Sequence, residues 1–170
     1  PERLKTGDEL VVQVSKDAVK TKAPVVTERL SFTGRYCVLT VGKTGIGFSA
    51  KIRDASYKAR LHSLLECDLA GTEDLGVIVR TNAVTVEDRI VREELAELMG
   101  TWQRLSADAA CRVCYSCLYR ALPGYIAAIR DSFCGTLEEI ITDVPEYHRE
   151  LGAYLEMYQK EDADRLTLYE

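Results

Sequence analysis

The sequence predicts an α+β chain whose final segment has α/β character. Three observations carry this: strand-like alternation lies before residue 54, helical spacing dominates from there to about residue 134, and a β, α, β order closes the chain. With 170 residues, 46% of them hydrophobic, the chain can bury a real core in one or two compact units.

Leu10, Val12 and Val14 alternate with polar neighbours and predict a first strand, and residues 25–32 and 36–41 repeat the signal on either side of Gly34. The polar loop "SKDAVKTKAP", with Lys16, Lys20 and Lys22, joins the first two. Gly42, Gly45 and Gly47 predict a turn before "FSAKI". Asp54 is placed to cap a helix that Leu61, Leu64 and Leu65 carry to about Cys67, and residues 75–79 read as a strand with Arg80 as its last residue. Thr85 and Asp88 resemble a capping box that starts a long helix with Ile90, Val91, Leu95, Leu98 and a core Trp102 on one face. A second helix is expected over about 107–121, and a third opens at Pro123 and ends near Cys134 and Gly135. "LEEIITD" reads as a strand, Pro145 begins a helix to about Tyr158, and "RLTLYE" reads as a last strand. No internal repeat is present, so boundaries rest on the changes of pattern near Gly34 and Pro123. The early strands are too few to close a barrel, and the last strand has no partner element after it. The chain therefore reads as a piece of something longer.

The net charge of -5 hides a division. Residues 1–60 hold 12 Lys and Arg against 6 Asp and Glu, while the remainder holds 10 against 21, so only the first part suits a polyanion. A solvated basic face, or one that pairs with an acidic partner, explains it as well. No apolar run approaches the roughly 18 residues of a membrane span, and "PERLKTGDEL" has no signal-peptide profile, so a cytoplasmic location is expected. Six cysteines in a chain of this size and helix content are expected to be reduced.

Among the motifs, "GVIVRTNA" runs a buried strand into Arg80 and Thr81. An ordinary strand exit accounts for the pair, and so does a phosphate reader, in which Arg offers a rigid fork of donors and Thr a hydroxyl. "VGKTG" fails as a phosphate loop, because Cys37 stands where the pattern needs a glycine. "CRVCYSC" would align Cys111, Cys114 and Cys117 along one helix face, but His62 and His148 are distant and a fourth zinc ligand is lacking. Core or chance cysteines are the simpler reading, ahead of a redox pair. The carboxylates of "EDRIVREELAEL" read as a solvated face with i,i+4 pairs, and Glu138, Glu139 and Asp143 make only a weak metal-nuclease cluster. No catalytic centre and no metal site is assigned.

Taken together, "LKTGDELVVQV", the basic loop to Lys22, "LSFTGRYCVLTV", "GFSAKI", "LGVIVRTNAV", "AAIRDSF", "EEIITD" and "RLTLYE" resemble the ribonuclease E/G family of bacterial endoribonucleases, in the family order and over nearly the whole chain. The resemblance implies a partial OB-type RNA-binding insert over residues 1–33, a 5′ sensor over 34–122 whose small mixed sheet is covered by helices, and part of an RNase-H-like subdomain over 123–170. It implies that the chain begins inside the OB insert and that the catalytic domain, with Mg²⁺ on paired aspartates, is missing. The Cys-Pro-x-Cys zinc link of some relatives also lies beyond this chain. No cofactor is therefore expected here. Arg80 and Thr81 match the pair that binds the terminal 5′ monophosphate, and Gly34 and Val38 match positions near the first nucleotide. Lys16 and Lys22 fall where the OB insert meets RNA, although Ala18, Val19 and Pro24 replace a more polar, Gly-containing turn. Where the family often has two arginines this chain has Ala50 and Lys51, and Lys51 supplies charge without a bidentate fork. The implied partner is single-stranded RNA with a 5′ monophosphate. Homo-oligomers are allowed for the full-length protein, although the residues do not reveal oligomeric state. The competing functions are a non-catalytic RNA-binding protein of the same family and a structural interaction module.

Overall fold

The computed structural model describes residues 4–132 and 137–169. They fall into two units, one up to Arg120 and one from Ala121.

In the first unit, β1 (Gln13–Lys16) and β2 (Val25–Thr27) form an antiparallel ribbon with an irregularity between Val14 and Lys16. The longer strand expected from Leu10, Val12 and Val14 does not form: all three are exposed, so no buried face enforces the alternation. Residues 25–32 make two strands rather than one. The Thr27 hydroxyl accepts the Arg29 N–H at 3.1 Å, the chain bends, and β3 (Ser31–Thr33) enters a different sheet. The Gln13 amide reaches from the ribbon to β3, accepting the Ser31 N–H at 2.8 Å and donating to the Ser31 carbonyl at 3.1 Å.

The second sheet has the order β3, β4 (Cys37–Val41), β6 (Leu75–Val79), β5 (Gly45–Phe48). β4 is antiparallel to both neighbours, and β5 runs parallel to β6. That parallel step needs a crossover, which α1 (Ala55–Asp68) supplies, and α2 (Asp88–Ala109) packs on α1 and β4. Cys37, Leu39, Val77 and Val79 from the sheet meet Leu61, Leu65, Val91 and Leu95 from the helices in one buried core. Every residue of β6 except Ile78 is buried, as its near-continuous apolar sequence requires. Gly76 is needed there: a Cβ would stand 2.3 Å from the Lys43 carbonyl oxygen and 2.8 Å from that of Gly45. Gly45 and Gly47 belong to β5 rather than to the expected turn, and of "FSAKI" only Phe48 is in a strand.

Asp54 caps α1 as expected, its carboxylate accepting the Ser56 and Tyr57 N–H groups and the Ser56 hydroxyl; these bonds hold its pKa below the usual carboxylate value. α2 departs from expectation at both ends. Glu87, not Thr85, is its N-cap, and the Thr85 hydroxyl donates instead to the Asn82 carbonyl at 2.8 Å within a 3₁₀ turn, Thr81–Thr85. The helix then runs unbroken to Ala109, and no helix covers 110–121. Val113 and Tyr115 in that segment are fully or largely exposed, so its apolar spacing has no face to bury and the helix does not propagate. Trp102 is half-buried against the core, its ring 6.2 Å from that of Phe32, which Tyr119 meets edge-on from 5.5 Å. Paired arginine forks tie α1 to α2: Arg60 to Asp88 and Arg92 to Asp68, each through two hydrogen bonds.

The second unit contains α3 (Gly124–Asp131), β7 (Ile140–Thr142), α4 (Pro145–Tyr158), a 3₁₀ turn Lys160–Arg165 and β8 (Leu166–Leu168). β7 and β8 are parallel, with α4 as their crossover. Pro145 opens α4 where its missing N–H costs nothing, whereas Pro123 precedes α3 as its N-cap instead of lying in its first turn. The expected end of that helix near Cys134 and Gly135 lies outside the described residues. Ile126, Ile140, Leu151, Tyr154 and Leu155 form the core. The chain is therefore α+β, with a β, α, β closing segment.

Candidate functional site

β6 ends at Val79, and Arg80 continues it by one residue in extended conformation, its N–H donating to the Tyr36 carbonyl at 2.7 Å. This carries Arg80 to the turn that joins β3 and β4. Gly34 donates to the Cys37 carbonyl at 2.9 Å to close that turn, and its own carbonyl accepts Arg80 Nη1–H at 2.6 Å. The guanidinium carries five donors in a fixed plane, so this contact helps to set where the half-buried fork lies. Thr81 begins the 3₁₀ turn, and its hydroxyl is 3.2 Å from that of Ser49. Ser49 is itself fixed by its N–H bond to the Val79 carbonyl at 2.8 Å.

The turn rests on a residue from α2. The Glu94 carboxylate accepts the N–H of Arg35 at 2.6 Å and those of Tyr36 and Cys37 at 2.8 Å each, filling a concave row of backbone donors. Gly34 has no room for a side chain there, because a Cβ would lie 2.4–2.6 Å from that carboxyl group. The Cys37 thiol, buried beneath, is pushed well above its ordinary pKa first by burial and then by the neighbouring Glu94 carboxylate.

Of the residues singled out from sequence, Arg80, Thr81 and Gly34 come together. Val38 is half-buried on β4, opposite Thr33 and Ile78. Lys51 is exposed, and its N–H donates to the Ser49 hydroxyl at 3.4 Å, two residues from the partner of Thr81. Lys16 and Lys22 are exposed in the β1–β2 region, outside the sheet that carries Arg80. Sequence reasoning missed Ser49 and Glu94. Glu94 stands one residue before the buried Leu95 on α2, and helical spacing alone does not separate it from the carboxylates around it.

Cys111, Cys114 and Cys117 are exposed on the non-helical segment, so they are not core residues, and the Cys114 thiol is raised above its ordinary value chiefly by a hydrogen bond to Glu9. Glu138, Glu139 and Asp143 are exposed. Among the described residues no three His, Cys, Asp or Glu side chains converge as a metal site. No described helix is long and apolar enough to cross a membrane.

A forked cation and a hydroxyl thus lie together at a strand end of this α+β protein, framed by a turn that a part-buried carboxylate holds. Residues 31–170 match the Ribonuclease E/G family, and the chain belongs to that family. It is 28% identical over 144 residues to Ribonuclease E of Synechocystis sp., covering 85% of this chain and 21% of that protein. Ribonuclease G of Haemophilus influenzae is 28% identical over 172 residues, covering 99% of this chain and 34% of that protein. The Ribonuclease E/G-like chloroplastic protein of Arabidopsis thaliana is 24% identical over 178 residues, covering 99% and 18%. The chain thus spans between about a fifth and a third of the length of these relatives.

Proposed function

We propose that this chain is the RNA-binding, 5′-monophosphate-sensing portion of a ribonuclease E/G-type endoribonuclease that acts on single-stranded RNA in the cytoplasm. The observation that carries the reading is Arg80 held by the Gly34 carbonyl with Thr81 beside it, at one end of β6. A terminal monophosphate carries about -1.5 to -2 charges and several strong acceptor oxygens, so a fork and a hydroxyl can grip it. A charge-assisted contact of this kind contributes about 1.5 to 3 kcal/mol, enough to favour one state of a larger enzyme over another.

Lys16, Lys22 and Lys51 add contacts to the RNA backbone that weaken with salt. Residues 1–33 then belong to an OB-type insert and 123–170 to an RNase-H-like subdomain. On this reading phosphodiester hydrolysis with Mg²⁺ belongs to a separate catalytic segment of the endoribonuclease. This chain alone is expected to be inactive.

The test is binding of a short single-stranded RNA carrying a 5′ monophosphate or a 5′ hydroxyl, at low salt, to the wild-type chain and to Arg80→Ala. Wild type is expected to prefer the phosphate by about tenfold or more, and the variant to lose that preference. Equal binding of the two RNAs by wild type would reduce Arg80 to a strand terminus.

A further inference from the structure

We infer that Glu94 is a positioning residue for the Arg80 site: by occupying the amide cradle of Arg35, Tyr36 and Cys37 it presets the Gly34 carbonyl that aims the Arg80 fork, and so sets the discrimination between RNA 5′ ends. The inference rests on the 5′-end reading above and adds a residue from another element, 57 to 59 positions along the chain from the amides it holds.

Three consecutive backbone N–H groups converging on one point are a ready receptor for any anion. Here the anion is internal. Each of the three amides is satisfied by a Glu94 oxygen at 2.6–2.8 Å, so the incoming phosphate is left to Arg80 and Thr81 rather than competing for the cradle. The chain of contacts is short: the Glu94 carboxylate fixes the amides of the turn, the turn fixes the Gly34 carbonyl, and that carbonyl accepts Arg80 Nη1–H at 2.6 Å. Without the carboxylate, three part-buried backbone donors would lose this acceptor, and the turn would have to rearrange to replace it. Gly34 would move with it, and the fork would lose its aim. The missing side chain of Gly34 belongs to the same device, since any Cβ there would displace the carboxyl group.

Binding strength alone would not test this, because removing a negative charge strengthens binding of any RNA. The readout is the ratio of Kd for a 5′-hydroxyl RNA to Kd for the same RNA with a 5′ monophosphate, measured on the full 170-residue chain at one low salt concentration. Glu94→Gln keeps the shape but turns an NH₂ group toward backbone donors. It is expected to cut the ratio about tenfold, with the hydroxyl RNA bound as well as before or better. Glu94→Asp retains the charge one methylene short and is expected to fall between. Where circular dichroism finds the Gln variant unfolded, Gly34→Ala, which pushes the carboxyl group out of the cradle, is expected to show the same fall. A wild-type ratio of one would overturn the 5′-end reading and this inference together. A wild-type preference that survives in the folded variants, or a loss of affinity equal for both RNAs, would overturn this inference alone.

Discussion

The chain builds the same connection twice, and only one of the two carries the candidate site. β5, α1 and β6 form a parallel crossover, and so do β7, α4 and β8. In the first, β6 has a second neighbour, antiparallel β4, whose preceding turn reaches the strand's end and holds Arg80. In the second, β7 and β8 pair with each other, and Ile141 and Tyr169 stay exposed. A parallel pair supplies a strand end, and the antiparallel neighbour supplies the polar turn that gives such an end a shape.

The two glycines packed nearest the two crossovers separate these roles most sharply. Gly76→Ala drives a methyl group into two carbonyl oxygens at 2.3 and 2.8 Å. It is expected to destabilise the first unit by about 3 kcal/mol or more, read by thermal denaturation. Gly152→Ala, in the middle of α4, meets its nearest neighbour, Leu166, at an ordinary 3.6 Å. There the same substitution should stabilise by about 0.5–1 kcal/mol, because alanine loses less backbone entropy in a helix. Equal effects at the two positions would mean that the sheets are not packed as described.

Smaller effects follow from pH. The Arg92 fork holds the Asp68 carboxyl below the usual range, so this pair's contribution is fully present above the unfolded value, about 3.9, and is lost as pH falls through the lower folded value. Asp68→Asn should therefore flatten stability against pH in that acid window. In the second unit the Tyr125 phenol donates to Glu150 and its pKa is pushed up to about 12, first by that bond. Its contribution is present below the unfolded value of about 10 and is lost as pH rises through about 12. Tyr125→Phe should remove the alkaline part and leave the acid part unchanged, as urea titrations over both ranges would reveal.

The features legible in sequence were those whose causes lie within a few residues. Asp54 announces α1 because its partners are Ser56 and Tyr57, and Pro145 announces α4 because proline suits a first turn. β6 was legible from its apolar run and Arg80 from its position just after it. What was not legible depended on distant partners. The expected helix over 107–121 needed a surface to cover, and spacing alone cannot say that none is offered. The apparent single strand over 25–32 concealed a passage between two sheets, decided by which strand β3 meets. Glu94 resembled its solvated neighbours because the amides it holds lie on a turn that helix periodicity cannot foresee.

Trp102 is the chain's single tryptophan, and its ring lies against Phe32, two residues before Gly34 and the turn that Glu94 holds. Light absorbed selectively at the red edge of the aromatic band therefore excites one indole, in the first unit, beside the strand that leads into the site. The emission of the unmodified chain is a built-in optical gauge of that unit, to which the tyrosine-bearing second unit contributes almost nothing at such wavelengths.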